Sequence, residues 1–191
     1  MMNNNRPKRF TGKLLKLSLL VATSLLIFTA SASVLNSMYM QSSPISAETP
    51  KVIFATATDS TAAGASVGTN GTYVSLNSMG GWPNATRTYQ AAVGIQNVDT
   101  GSHTFELKFD QAGDWSGDTG NIASLTVIVR NSAGGTQQGS TITVGTPGSS
   151  TGSLSIPAST TWVVEWNIRW AAGALSTNTV TATLTLAVTG E

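Results

Sequence analysis

The sequence predicts an all-β protein: an antiparallel, jelly-roll-like β-sandwich behind an export leader and an extended N-terminal strand. Three observations carry this. Residues Thr161–Trp170, TWVVEWNIRW, alternate with a period of two. Trp162, Val164, Trp166, Ile168 and Trp170 share one face, and Val163, Glu165, Asn167 and Arg169 the other. About eight or nine strand-like segments lie along the chain at close spacing, with turn signals between them. No segment after the leader has a convincing helical period.

Residues 1–32 have the make-up of a secretory signal peptide. A basic n-region leads into the apolar run Leu17–Ala30, and Ala30-Ser31-Ala32 offers a small-x-small cleavage site. Ile45-Ser46-Ala47 is the alternative site. The apolar run is short for a spanning helix, which disfavours an uncleaved anchor and leaves membrane contact to the export step. Gly12 precedes the run as in a type IV pilin leader. Lys13 directly after it, and Pro44 with no long amphipathic helix following, speak against that reading.

Residues 33–70 read as a linker that carries the N-terminal strand. Lys51–Thr58, KVIFATAT, has the β-branched and aromatic residues of a strand. Asp59–Asn70 is rich in small residues, with little to hold it in a fold of its own. The sandwich is expected over 71–191. Thr72–Leu76 is a short strand, and Ser78–Thr86 a loop built on Gly80-Gly81-Trp82-Pro83-Asn84.

Thr88–Val98 alternates Tyr89, Ala91, Val93 and Ile95 against Gln90, Ala92, Gly94 and Gln96. Asp99-Thr100-Gly101-Ser102 is a turn, and His103–Phe109 answers with Phe105, Leu107 and Phe109 in phase. Together they predict a hairpin. Asp110–Asn121 is an acidic, glycine-rich loop. Ile122–Val129, Ser140–Val144 and Ser153–Ile156 are strands before the tryptophan strand. Asn178–Val188 closes the chain as one half-buried strand with threonines on its outer face.

The composition bounds the function. The chain has 191 residues, 10% of them charged, and no cysteine. Disulfides and thiol chemistry are therefore excluded, and stability must come from packing and hydrogen bonds. Five of the ten basic residues lie before Leu17. The rest of the chain carries five bases against nine acids and no basic stripe, so no nucleic-acid partner is expected.

Few residues are candidates for chemistry. His103 is the only histidine, and it sits in phase with Phe105, as a packed or rim residue would. Asp110, Asp114 and Asp118 recur at every fourth residue and are candidate calcium ligands, although their spacing does not match an EF-hand loop. Otherwise no cofactor is expected. Trp82 and Trp115 stand in loops, suited to capping the core, to a subunit interface, or to stacking on a sugar ring. Glu106 and Glu165 lie on polar strand faces with no cleft to unite them, so an enzyme is not expected. Asn70-Gly71-Thr72 and Asn84-Ala85-Thr86 fit the N-linked glycosylation acceptor.

The segment Tyr89–Phe109, YQAAVGIQNVDTGSHTFELKF, joins a strand with Ile95 and Asn97 through a short turn to a strand of xFxLxF form. With a leader and KVIFATAT near the mature N-terminus, it resembles the TasA/camelysin-like fibre-forming proteins, in particular the archaeal bundling pilins. The resemblance implies a jelly-roll subunit on the cell surface, or in a biofilm, that polymerises head to tail. Each N-terminal strand would fill a groove in its neighbour, and filaments would associate side by side. The donor would be about residues 48–63, with Lys51, Val52, Ile53, Phe54, Ala55, Thr56, Ala57 and Thr58 as its strand and Val52, Phe54 and Ala57 as anchors. The competing expectations are that KVIFATAT is an ordinary strand of its own sheet, and that the protein is a monomeric carbohydrate- or surface-binding module.

Overall fold

The structure is a computed structural model, and it describes Lys16 and residues 49–189. The expected leader, both cleavage sites and the linker to Glu48 lie outside the described residues, Lys16 excepted. Among the described residues thirteen strands follow in order. They are β1 (Val52–Ala55), β2 (Ala65–Val67), β3 (Val74–Leu76), β4 (Thr86–Asn97), β5 (His103–Phe109), β6 (Trp115–Gly117), β7 (Ile122–Arg130), β8 (Gln137–Thr143), β9 (Ser149–Ser150), β10 (Leu154–Ile156), β11 (Thr161–Trp170), β12 (Val180–Ala182) and β13 (Thr185–Thr189). All the strand pairings are antiparallel.

One sheet runs β1-β4-β11-β7-β8. The second runs β10-β5-β13, with β9 also paired to β5. Their apolar faces share one core, in which Phe105 of β5 meets Trp162 of β11. β11 lies between β4 and β7, so its tryptophan face is the floor of that core. Trp162, Val164, Trp166 and Ile168 are buried there as their alternation predicts, while Trp170 is half-buried at the end.

The predicted β4–β5 hairpin does not form. β4 and β5 lie in different sheets, and the turn after Asn97 carries the chain across the core as an arch. A hairpin and an arch present the same local signal, two alternating strands around an Asp-Gly turn. Long-range pairing separates them: β4 takes β1 and β11 as neighbours, and β5 takes β10 and β13. Asn97 holds the crossing. It is fully buried, and its Nδ2 donates to the carbonyls of Gly101 (2.7 Å), Pro157 (3.0 Å) and Ile156 (3.2 Å).

β4 also departs from strict alternation. Between the pairs Val93–Val164 and Tyr89–Trp166 it spends four residues where β11 spends two. The bulge buries Ala91 and Ala92 together. The segment expected to be loose covers it. Asp59 N donates to Ala91 O (2.9 Å), Ala91 N to Asp59 Oδ2 (3.1 Å) and Ser60 Oγ to Ala92 O (2.9 Å). Ser60–Ala63 forms one helical turn, with Ser60 and Ala63 buried. Small side chains on both sides allow this approach, and the bonds satisfy backbone groups that the bulge removes from the ladder.

Glu48–Glu191 forms one compact unit, which includes β1, the helical turn and β2. The last predicted strand is split at Thr183, whose N–H bonds Asp114 O, and β12 pairs with β6 while β13 pairs with β5.

Candidate functional site

The site follows from the place of β1. It lies at the edge of the larger sheet, paired with β4 in the register Val52–Asn97, Ile53–Gln96, Phe54–Ile95 and Ala55–Gly94. Within this chain the strand therefore completes its own sheet. Val52 is buried and Phe54 packs against the core. Lys51, Thr56, Ala57 and Thr58 lie outside the strand. Ala57 lies ahead of the helical turn, with its N–H bonded to Ser60 Oγ (2.7 Å).

The outer edge of β1 is thinly covered. Among the described residues it receives one backbone bond, from Phe54 N to Gly71 O (2.7 Å). Gly71 has φ +64°, and a Cβ there would stand 2.7 Å from Ile53 Cβ. Only glycine brings that carbonyl to the strand edge. Burying Val52 and much of Phe54 is worth about 3–5 kcal/mol. Ordering four residues costs about 4–8 kcal/mol. Ladder bonds to β4 and the contact at Lys51 add to the apolar term.

The end contact is at Lys51. Its carbonyl accepts the N–H of Val98 (2.9 Å), and its Nζ lies 2.7 Å from Asp99 Oδ2 in the arch. His103 Nε2 approaches the same oxygen at 2.8 Å. A carboxylate only accepts, so this ring nitrogen carries the hydrogen. Thr100 N donates to Asp99 Oδ1 (2.7 Å), and Asp99 N donates to Asn97 Oδ1 (2.9 Å). Lys51, His103 and the Thr100 N–H together hold the Asp99 carboxyl well below the usual carboxylate range.

The other candidates are scattered. Asp110 pairs with Lys108 (2.9 Å), Asp114 Oδ2 accepts Gln111 N (3.2 Å), and Asp118 Oδ2 accepts Thr179 N (2.9 Å). The three are thus not brought together, and among the described residues no group of three or more His, Cys, Asp or Glu side chains could hold a metal ion. Glu106 of β5 and Glu165 of β11 lie on the outer faces of different sheets. Glu165 is buried and held by Arg130 Nε (2.6 Å) and Asn167 Nδ2 (2.8 Å). Burial pushes its carboxyl up, but these bonds outweigh burial and the net direction is down.

Trp115 packs against the core and caps it. Trp82 is 58% exposed, with the Arg87 guanidinium 5.4 Å from its ring centroid and 4.7 Å from that of Tyr89. Asn70 and Asn84 are both exposed, and Asn84 Oδ1 accepts Arg169 Nη2 (3.0 Å).

Sequence reasoning passed over Asn97 and Asp99 as site residues. Asn97 carried a signal, because it follows Val93 and Ile95 on the apolar phase of β4, where a polar side chain needs buried partners. Asp99 looked like any turn aspartate; its partner Lys51 stands 48 residues away. Neither a scan of protein-family models nor a search of curated proteins finds a match to this chain.

Proposed function

We propose that this chain is a secreted, non-enzymatic structural subunit of an extracellular filament or pilus, with a jelly-roll-like domain that polymerises by donor-strand complementation. The observation that carries the reading is β1: a four-residue edge strand, next to the chain's N-terminal segment, that anchors by Val52 and Phe54. In a single chain it closes on its own β4. In a filament the same strand closes on the β4 of a neighbour, which satisfies the same backbone groups and apolar surface. Such a head-to-tail contact does not close into a ring and so grows. Assembled, the protein needs no partner but itself, and neighbouring filaments then associate laterally.

The test uses the chain from Ser33 with Ile53→Cys and Gln96→Cys. These residues are paired across β1 and β4. Paired residues of adjacent strands lie about 5 Å apart, within disulfide reach. The natural chain has no cysteine to interfere. Oxidised as a monomer, the variant should stay folded and form no filaments under negative-stain electron microscopy. Reduced, it should form them, and oxidation after assembly should yield a ladder of covalent oligomers on a non-reducing gel. Filaments from the locked monomer, or none from the folded wild-type chain, would reject the reading.

The exposure of Trp82 favours a second reading, a monomeric carbohydrate- or surface-binding module. In that case the wild-type chain stays monomeric and Trp82→Ala abolishes retention on a polysaccharide column without loss of fold.

A further inference from the structure

We propose that Asp99 is a fixed socket for the Lys51 ammonium of whichever strand occupies the β4 edge, and that this contact sets the strand's register. The inference rests on the donor-strand reading, since it extends the contact from one chain to two.

Burial alone leaves the register of β1 ambiguous. A one-residue slip would turn Val52 and Phe54 outward and is heavily penalised. A two-residue slip keeps the same side chains facing the core, merely placing one anchor near the other's site. A strand this short, with only two anchors, discriminates weakly against it. The slip would carry Lys51 about 7 Å along the edge and break its contact with Asp99. The ion pair thus distinguishes the two registers that apolar packing does not.

The acceptor half is built without β1. Asp99 is held by His103 Nε2 on its Oδ2, by Thr100 N on its Oδ1, by Asn97 Oδ1 at its N–H and by Ser159 N at its carbonyl (3.1 Å). All four belong to the arch and its surroundings. Only Lys51 travels with the strand. When β1 leaves, the carboxylate stays oriented with one donor removed, ready for the same ammonium on another copy. Val98, whose N–H donates to Lys51 O, is part of the same fixed socket.

Two measurements test the proposal. The first uses hydrogen exchange of Val52–Ala55 in the monomer for the wild type, Lys51→Ala, Asp99→Asn and the double variant. Each single change should speed exchange about twofold to fivefold, and the double variant should exchange no faster than the singles. Unchanged exchange, or additive effects, would overturn the socket. The second mixes Lys51→Glu with Asp99→Lys, both first shown to be folded by circular dichroism. Each alone should form few filaments, and the mixture should form filaments containing both, because each strand then meets its complement in the neighbour. Lys51→Glu assembling as well as wild type, or no rescue on mixing, would overturn the contact between copies. If wild type itself forms no filaments, the filament reading fails, and the exchange cycle alone decides whether Asp99 holds β1. The same cycle decides if Asp99→Lys does not fold.

Discussion

Phe105 and Trp162 meet edge to face across the sandwich, with ring centroids 5.9 Å apart and planes inclined at 62°. Phe105 comes from β5 and Trp162 from β11, so the contact ties the two sheets directly. Phe105 is fully buried, and the pair joins the largest side chains of the core. Phe105→Ala should therefore cost about 3–5 kcal/mol, read from the urea midpoint. Near-ultraviolet circular dichroism should change with it, because a tryptophan loses its fixed neighbour.

The arch is a second point of fragility. Asn97→Ala leaves the carbonyls of Gly101, Ile156 and Pro157 without their shared donor, at a cost of about 3 kcal/mol. Asn97→Asp should be worse, since a carboxylate would face three carbonyl oxygens in a buried site. Equal stability of the two variants in urea would show that the amide donor is not what holds the crossing.

Glu165 and Arg130 form the one ion pair in which the acid is buried, among the described residues. Glu165→Ala should cost about 3 kcal/mol, because Arg130 would keep its charge in a partly buried place. The Glu165 carboxyl is held below its ordinary value. Its contribution is therefore complete above the ordinary glutamate range, near pH 4.5, and is lost as pH falls through the depressed folded value. The wild-type urea midpoint should fall more steeply in acid than that of the alanine variant.

Asp99 predicts how β1 responds to acid and salt. Lys51 is the largest cause of its depressed carboxyl and the one that leaves with the strand, so the Asp99 share of strand docking is present at neutral pH and is lost only as pH falls into the depressed range, below that of an ordinary carboxylate. Lys51 is half-exposed, so salt weakens its attraction for Asp99. Hydrogen exchange of Val52–Ala55 should accelerate in high salt at pH 7, while that of Val127 and Val129 in the core stays unchanged. Acceleration of both alike would point to loosening of the whole domain.

The sequence by itself determined the all-β class and the inward faces of its most regular strands. TWVVEWNIRW and HTFELKF form strands over the residues their alternation marks, because a period of two with one apolar face has a single half-buried solution. Partnership was decided only by the tertiary structure. That β4 and β5 cross the core, that Asp59 and Ser60 cap a bulge in β4, and that Lys51 reaches Asp99 depend on backbone and charge contacts between distant residues. Local pattern reports which face of a strand is apolar. It does not report which edge lies beside which, because every strand offers the same backbone donors and acceptors, and only the packing of the whole core selects among them.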